Sequence, residues 1–231
     1  VRYGLGGSWN SNGTILFSSS RTEPIFSVSE NGGTPEAVTA LDTSKKEIYH
    51  QFPFFLPDGN HFLFLARSTF TNVLGGMDEI CVASLELRKR KRLLAETSNV
   101  VYANGYLIYV KNTVMTAAPF DLKTMSLTGE SVPITQVNMN PVDGGGVFSV
   151  SQSNLLVYQQ PPSTLSTRLV IYDRNGTQFG EVGRRAAYND VRFAPDGKQV
   201  AYSVLDSVAG RIDIYLYNPS TSGEPRRFAY G

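Results

Sequence analysis

The chain has 231 residues, and its 21 basic and 20 acidic side chains leave a formal net charge of +1. This near balance of charge excludes electrostatic binding of nucleic acid as the main activity, so we expect no nucleic-acid partner. A single cysteine, Cys81, excludes both an internal disulfide framework and a cysteine-cluster metal site. The apolar runs fall short of the ~18 residues of a membrane span, so we expect no membrane contact within this segment.

The pattern of short elements favours β structure. Apolar runs end every few residues in Gly, Asn, Asp, Ser or Pro, which is typical of strands joined by turns, and no amphipathic helical stripe is evident. A turn followed by an aliphatic-aromatic strand recurs along the chain, as TILFSS, NHFLFLA, YLIYV, LLVYQ and KQVAYS. The turn residues before these strands are Gly13, Gly59, Gly105, Asn154 and Gly197.

These turn residues lie 46, 46, 49 and 43 positions apart. A propeller blade of four strands needs ~40–50 residues. The spacing therefore predicts an all-β propeller of about five recognisable four-stranded antiparallel blades, in one domain over residues 1–231. A β-sandwich is an alternative, but it does not explain the period. The expected blades cover roughly 4–46, 47–98, 99–142, 143–186 and 187–231.

Four strands are predicted in each unit. The third and fourth units are looser, but they keep YLIYV with TVMTAAPF and LLVYQQ with RLVIYD. The distance from the turn to the third strand varies most between units, so insertions concentrate on one face, which often is the binding face. The expected strands are Gly7–Asn10, Thr14–Ser18, Pro24–Ser29 and Glu36–Ala40 in the first unit; Gln51–Leu56, His61–Ala66, Glu79–Leu85 and Arg88–Ala95 in the second; and Asp190–Ala194, Gln199–Val204, Asp213–Asn218 and Pro225–Tyr230 in the fifth.

Two segments carry a resemblance to a known family. GGSWNSNGTILFSSS and DVRFAPDGKQVAYSVLDSVAGRIDIYLYN resemble the TolB-like propeller repeat, with its Pro-Asp-Gly-Lys turn and following Ile-Tyr strand. Over its whole length the chain is similar to the propeller that follows a membrane segment in bacterial, especially acidobacterial, eukaryotic-type serine/threonine kinases. The resemblance implies a periplasmic or otherwise extracytoplasmic module for sensing or protein binding. Relatives with such blades form rings of six or more, so a larger ring stays an alternative.

The sequence contains few residues in patterns typical of catalysis or of metal binding. Gly-x-Ser-x-Gly, His-Glu-x-x-His and kinase motifs are absent, so we expect no catalytic residue, no metal, no cofactor and no enzymatic activity. Cys81 lies between Ile80 and Val82 and is interpreted as a buried, inert thiol. The basic run 88–92 is interpreted as an outer edge strand, where positive charge discourages edge-to-edge pairing. The targeting segment is expected to lie outside this chain, since no leader follows Val1.

The candidate binding residues lie where one unit leads into the next. Each triplet combines an aromatic surface with hydrogen-bonding groups, which suits a protein, peptide or small glycan ligand. A tryptophan near the start of the first unit is a further candidate for stacking, with packing between blades as its alternative. Ordinary polar loop ends are the alternative for the triplets. The candidates are Trp9; Tyr49, His50 and Gln51; and Tyr188, Asn189 and Asp190.

The sequence therefore favours a non-catalytic binding or scaffolding propeller. The leading hypothesis is the sensory or protein-interaction module of a bacterial signalling protein. The alternatives are the substrate-gating propeller of a serine peptidase and a glycan-active propeller enzyme. Open blade edges would also permit self-association between chains.

Overall fold

A computed structural model describes residues 4–68, 77–151, 155–161, 167–195, 197–206, 211–221 and 223–230. In these ranges the chain forms strands, turns and one short 3₁₀ segment, Thr43–Lys45. Five sheets each contain a path of four antiparallel strands taken in chain order. The chain is thus an all-β propeller of five four-stranded blades, as the repeat predicts. No helix of the described residues is long and apolar enough to cross a membrane.

The strands follow the predicted order. The third blade has an additional strand, β13 (Val132–Gln136), which pairs with β11. The others are β1 (Gly7–Trp9), β2 (Thr14–Ser18), β3 (Ile25–Ser29) and β4 (Gly32–Ala37); β5 (Tyr49–Phe55), β6 (His61–Arg67), β7 (Glu79–Ser84) and β8 (Arg90–Leu94); β9 (Val100–Ala103), β10 (Tyr106–Lys111), β11 (Val114–Asp121) and β12 (Ser126–Leu127); β14 (Phe148–Val150), β15 (Leu156–Gln159), β16 (Thr167–Tyr172) and β17 (Gln178–Ala186); and β18 (Tyr188–Phe193), β19 (Val200–Asp206), β20 (Arg211–Tyr217) and β21 (Arg226–Tyr230).

The chain divides into two compact units. Unit 1 comprises Val1–Lys111 and Thr116–Val132, and unit 2 comprises Asn112–Met115 and Pro133–Gly231. Within unit 1, the first two blades pack through a cluster that includes Leu16, Ile25 and Phe64. The second and third blades pack through a second cluster. Alternate strand residues supply each cluster, because successive side chains point to opposite faces of a sheet.

Unit 2 has its own core. The fourth and fifth blades pack through one cluster, whose buried members include Val157, Leu169, Val191 and Tyr202. Large buried side chains of this kind each contribute roughly 1.5–3 kcal/mol on transfer from water. Apolar side chains therefore hold the fourth and fifth blades together.

Strand starts differ from the prediction by two residues or more in five places. β8 begins at Arg90, two residues later than expected, and β20 begins at Arg211, two residues earlier. β4 begins at Gly32 rather than Glu36, and glycines with φ of +89° and +117° at Gly32 and Gly33 form its first residues. Glycine is normally a turn signal, which is why the sequence pattern missed them. β5 begins at Tyr49 and β18 at Tyr188, two residues earlier than expected in each case. The predicted link residues therefore begin strands.

The repeated turn works as its composition indicates. In the second blade, the Asp58 carboxylate accepts hydrogen bonds from the backbone N–H groups of Asn60 at 3.0 Å and His61 at 2.8 Å. Gly59 adopts a φ of +69°, which glycine tolerates without strain. Asp58 is thus a turn former. The corresponding Asp196 and the turn residue Asn154 lie outside the described residues.

The basic run bridges blades within unit 1. Arg88 donates to the carbonyl of Ala37 at 3.0 Å, towards the first blade. Lys91 donates in the other direction, to the carbonyl of Met125 at 3.1 Å, beside the third blade. Lys91 lies on the outermost strand β8, as the edge-strand prediction expects, whereas Arg88 precedes that strand. The run is therefore engaged in contacts with neighbouring blades.

Candidate functional site

Tyrosines on three neighbouring strands of the last blade form an aromatic wall. Tyr202 on β19 is in register with Tyr215 on β20, and Tyr188 begins the adjacent strand β18. The rings of Tyr202 and Tyr215 stack with centroids 5.5 Å apart and planes 12° apart. Tyr188 meets Tyr202 edge-on at 5.4 Å. Both geometries are favourable for aromatic pairs, so the wall is rigid.

A bulge in β17 faces this wall. Leu169 pairs with Val182 but Thr167 pairs with Ala186, so the three residues Gly183–Arg185 lie opposite the single residue Arg168, and the outer strand has two extra residues. Bulges of this kind bend a strand and redirect its side chains. The hydroxyl of Tyr188 supports the bulge by lying 2.9 Å from the carbonyl oxygen of Val182 and within hydrogen-bond distance of the Arg184 carbonyl.

Gly183 is the residue that keeps the space open. Its φ is +64°, and a Cβ placed on it would lie 2.7 Å from the hydroxyl of Tyr202 and 3.2 Å from that of Tyr188. A distance under 3.0 Å requires something to move. The bulge and the aromatic wall can therefore approach this closely only with glycine at position 183.

A cleft of about 250 Å³ lies between the wall and the bulge. Arg184 of the bulge and Glu224, which precedes β21, both line it and are exposed. Val204 and Pro225 add apolar surface. Aromatic and apolar side chains beside charged and hydroxyl groups are typical of small-ligand sites.

The Tyr202 hydroxyl is the distinctive polar group of the cleft. Only 6% of the residue is exposed, but its hydroxyl is in contact with solvent in the cleft, and it forms no hydrogen bond with the described part of the chain. Burial raises the pKa of this phenol well above its usual value, and the Glu224 carboxylate raises it further while Arg184 lowers it. Burial likewise raises the pKa of Tyr188 to about 12. Both phenols are therefore protonated at neutral pH, and that of Tyr202 has its proton available for a ligand.

The second predicted triplet is split between two faces of the last blade. Tyr188 belongs to the cleft. Asp190 is in register with Ser203, on the opposite face of the sheet from Tyr202, where it pairs with Arg192. The carbonyl of Asn189 accepts a hydrogen bond from Asn140 at 3.3 Å. Ligand binding by Asn189 and Asp190 stays a prediction, whereas Tyr188 lines a cavity.

The first predicted triplet is buried. The exposed fractions of Tyr49, His50 and Gln51 are 3%, 0% and 0%. The expectation that these side chains offer a surface beside a link is therefore wrong in its geometry, because they begin β5 and pack inside unit 1. The guanidinium of Arg67 lies 5.9 Å from the centre of the Tyr49 ring. Their aromatic and polar groups contact other protein groups.

His50 is part of a chain of buried polar groups. The Ile25 N–H donates to Thr39 Oγ1 at 2.9 Å, and Thr39 Oγ1 lies 2.8 Å from His50 Nδ1. His50 Nε2 lies 3.2 Å from Glu47 Oε2, which also accepts from Arg90 at 2.9 Å. A neutral imidazole with its proton on Nε2 satisfies every contact in this order. Burial lowers the pKa of His50, in agreement with the neutral form.

Glu47 carries the charge at the centre of this chain. Burial alone would raise its pKa, but hydrogen bonds from His50 and Arg90 outweigh burial and bring the pKa to about 2. Arg90 Nη2 also lies 2.8 Å from Glu47 Oε1, close enough for an ion pair although its angle is poor for a hydrogen bond. The arrangement is structural, since Glu47 and His50 are both closed to solvent.

A second buried ion pair lies nearby in unit 1. Arg67 Nε is 3.0 Å from Asp78 Oδ2, with exposed side-chain fractions of 0% and 3%. Asp78 also accepts from the Ser68 backbone at 2.7 Å and from Thr97 Oγ1 at 3.2 Å. Its carboxylate is therefore fully partnered, which is the condition for keeping a charge buried.

Trp9 and Cys81 occupy contrasting environments. Trp9 is the last residue of β1 and is 60% exposed, and its Nε1 donates to Glu30 at 3.1 Å. The exposed indole makes stacking on a ligand feasible, and that role stays a prediction. Cys81 is 1% exposed, and burial raises the pKa of its thiol to about 12. The thiol is therefore poorly nucleophilic in the folded protein, as its sequence context predicts.

The sequence analysis identified one residue of the cleft and missed the others. Tyr188 was a candidate, whereas Tyr202, Tyr215 and Glu224 were not. The signal was present in AYSVLD and IYLYN, where tyrosines occupy alternate strand positions. Pairing register, which places Tyr202 beside Tyr215, is not readable from one sequence. Among the described residues, no group of three or more His, Cys, Asp or Glu is arranged to hold a metal ion.

Comparison with known proteins identifies the fold. No protein-family model matches the chain, and no curated protein matches it by sequence. TolB from Acinetobacter baumannii matches 97% of this chain and 56% of its own length, with a TM-score of 0.64 and 17% identity. A TolB-like protein from Agrobacterium tumefaciens gives a TM-score of 0.68 at 13% identity, over 99% of this chain and 81% of that one. The β-propeller domain of the Trilobed protease from Pyrococcus furiosus gives 0.52 at 13% identity, over 98% and 71%. These similarities show a propeller fold, and the chain spans little more than half of the Acinetobacter protein.

Proposed function

We propose that this chain is a non-catalytic binding module that takes a small ligand or a short peptide segment in the tyrosine-lined cleft of unit 2. The observation that carries the proposal is the Tyr202 hydroxyl, which has no hydrogen bond within the described residues and faces an open cleft beside stacked aromatic rings. A ligand with an acceptor atom can take the hydrogen bond that no group of the described chain accepts from this hydroxyl. The paired strands around it supply a rigid frame, so little ordering is required on binding.

The biological setting is also proposed. The likeness in fold to TolB proteins and the resemblance of the turn repeats to TolB-like blades support an extracytoplasmic sensory or protein-interaction module of a bacterial signalling protein. The likeness to the propeller domain of a protease supports a second possibility, a propeller that controls access to a peptidase domain outside this sequence. In both settings the cleft would bind and not react, since its lining offers no nucleophile next to a base.

A thermal-shift screen with amino acids, short peptides and simple sugars tests the binding function. A ligand at about a hundred times its Kd stabilises the folded state by about 2.7 kcal/mol, which raises Tm by roughly 5–10 °C for a chain of this size. Gly183→Ala narrows the cleft and is expected to abolish the shift, and Tyr202→Phe is expected to weaken it. Gly180→Ala is the matched control, because a Cβ at Gly180 meets nothing within 4 Å.

Two results would contradict the proposal. A ligand that shifts Tm equally in wild type and Gly183→Ala binds elsewhere, and the cleft would then have no role. Turnover of any ligand in the screen, detected by mass spectrometry, would replace the non-catalytic role by an enzymatic one.

A further inference from the structure

Two opposite charges line the tyrosine-lined cleft without neutralising each other. Arg184 lies in the bulge of β17 and Glu224 lies before β21, and both contribute to the same cavity. Neither side chain forms an ion pair within the described parts of the chain, so their charged groups are separated by more than 4.0 Å. Elsewhere on β17 a charged side chain is paired, as Glu181 is with Arg168 at 2.8 Å. Arg184 and Glu224 are therefore both available to a ligand in the cleft.

Both charges act on the same buried group. The Glu224 carboxylate raises the pKa of Tyr202 and the Arg184 guanidinium lowers it, after the larger effect of burial. Both charged side chains therefore lie close enough to this hydroxyl to act on a ligand that fills the cleft. Across a partly desolvated space, Coulomb interactions are several-fold stronger than in bulk water.

This charge pattern discriminates between ligand types. A ligand with a single charge would be attracted by one of the two side chains and repelled by the other. An uncharged ligand would gain from neither charge. A ligand with a positive and a negative end would gain from both, provided that each end faces its opposite charge.

The dimensions indicate how large such a ligand is. The cleft of about 250 Å³ lies below the range of about 300–1,000 Å³ typical of sites for drug-sized ligands. Val204, Pro225 and the tyrosine rings contribute apolar surface to the cleft. An apolar side chain of a ligand can contact this surface while its polar ends face Arg184 and Glu224.

We propose that the tyrosine-lined cleft binds a zwitterion with an apolar side chain, either a free amino acid or a very short peptide. The carboxylate faces Arg184, the ammonium group faces Glu224, and the Tyr202 hydroxyl donates to the carboxylate. This inference rests on the proposed binding function and names the ligand class of the same cleft.

Four forms of one probe separate the two charges. L-phenylalanine, N-acetyl-L-phenylalanine, L-phenylalaninamide and N-acetyl-L-phenylalaninamide are titrated by ligand-observed NMR at pH 7 and low salt, with glycyl-L-phenylalanine to distinguish a short peptide from a free amino acid. L-phenylalanine is expected to bind more tightly than either singly blocked form by about threefold to tenfold, and the doubly blocked form is expected to bind most weakly.

Variants that remove one charge show which side chain of the cleft binds each end of the ligand. Arg184→Gln is expected to weaken only the probes with a free carboxylate, and Glu224→Gln only those with a free amine, each by about threefold to tenfold. Arg185→Gln is the control, since Arg185 is an exposed residue of the same bulge that does not line the cleft. Arg184 and Glu224 are both exposed, so we expect their substitution by glutamine to leave the fold intact.

The failures of the two proposals are distinguishable. If the doubly blocked probe binds as tightly as L-phenylalanine and loses affinity in Gly183→Ala, the zwitterion inference is wrong and the binding function stands. If sugars shift Tm through the cleft while no form of phenylalanine binds at millimolar concentration, the inference is again overturned and the binding function again stands. If no compound of either panel binds, both are overturned.

Discussion

Replacing Glu47 by glutamine tests whether the buried polar chain of unit 1 stabilises the fold. The carboxylate contacts Arg90 at 2.8 and 2.9 Å and accepts from the Asp42 backbone at 2.7 Å. Breaking a buried ion pair by removing one partner costs about 3–5 kcal/mol. Arg90 keeps 22% of its side chain exposed and retains Asp42 at 3.5 Å, so we expect the lower end, about 3 kcal/mol at pH 7.

The loss of unfolding free energy caused by Glu47→Gln is expected to become smaller as the pH falls. The pKa of Glu47 falls from 4.5 to about 2 on folding, because the hydrogen bonds from His50 and Arg90 outweigh burial. A lowered carboxyl pKa stabilises the folded state above the unfolded value, and that stabilisation is lost as the pH falls from 4.5 towards 2. The difference between the two values corresponds to ~3 kcal/mol. Burial lowers the pKa of His50, which faces Glu47 and Arg90, so its protonation also lowers stability below pH 6.5 in both proteins.

Urea denaturation of wild type and Glu47→Gln at pH 7, 5, 4 and 3 measures both effects. The two free energies of unfolding are expected to differ by about 3 kcal/mol at pH 7 and to converge towards pH 3. Glu86→Gln is the control, because the Glu86 side chain is exposed and forms no ion pair with the described part of the chain. The reasoning is refuted if Glu47→Gln resembles Glu86→Gln at pH 7, or if its deficit is the same at pH 3 as at pH 7.

Three further outcomes are expected. Gly183→Ala should lower the free energy of unfolding by about 1–3 kcal/mol, since the residue has a φ of +64° and a Cβ would lie 2.7 Å from the Tyr202 hydroxyl; urea denaturation measures it. Asp78→Ala should cost about 3–5 kcal/mol in the same assay, because it leaves Arg67 buried without its carboxylate. Cys81 should be unreactive towards a thiol reagent at pH 8 in the folded protein and should react fully in denaturant, because burial raises its pKa to about 12.

Each of these outcomes has a control. Gly180→Ala lies in the same strand as Gly183 with open space around it and should change stability little. Asp173→Ala removes a turn carboxylate on an exposed hairpin and should cost about 1 kcal/mol, far less than Asp78→Ala. Rapid labelling of folded Cys81 would show that the strand around it opens readily, and the argument from its burial would then fail.

The repeat made the fold predictable. Period and turn chemistry are local in sequence, so the five blades and most strand positions followed from the residues alone. The errors came where local signals mislead: Gly32 and Gly33 act as strand residues, and Tyr49 and Tyr188 begin strands that were placed two residues later. A strand that starts earlier buries what was expected to be a link.

The cleft was less predictable, because it depends on long-range packing. Tyr188 was identified from its neighbours, but its role depends on a bulge that begins at Gly183, and nothing local marks that glycine as different from Gly180. Glu224 precedes β21 and reaches the cleft only through the packing of the last two blades. In contrast, His50 was selected for chemistry that its burial within unit 1 does not allow.

The buried polar chain also bears on the order in which this protein becomes stable during synthesis. Ile25 and Thr39, at one end of this series of hydrogen bonds, belong to the first blade and the segment that follows it. The other end of the series is Arg90, which lies 43 residues after Glu47 in the sequence. Until Arg90 has left the ribosome, a nascent chain that holds the complete first blade and the start of the second carries the Glu47 carboxylate without its arginine partner. The smallest segment in which the groups of this polar chain are all partnered is therefore a pair of blades. A single repeat is thus a unit of the sequence but not a unit of folding.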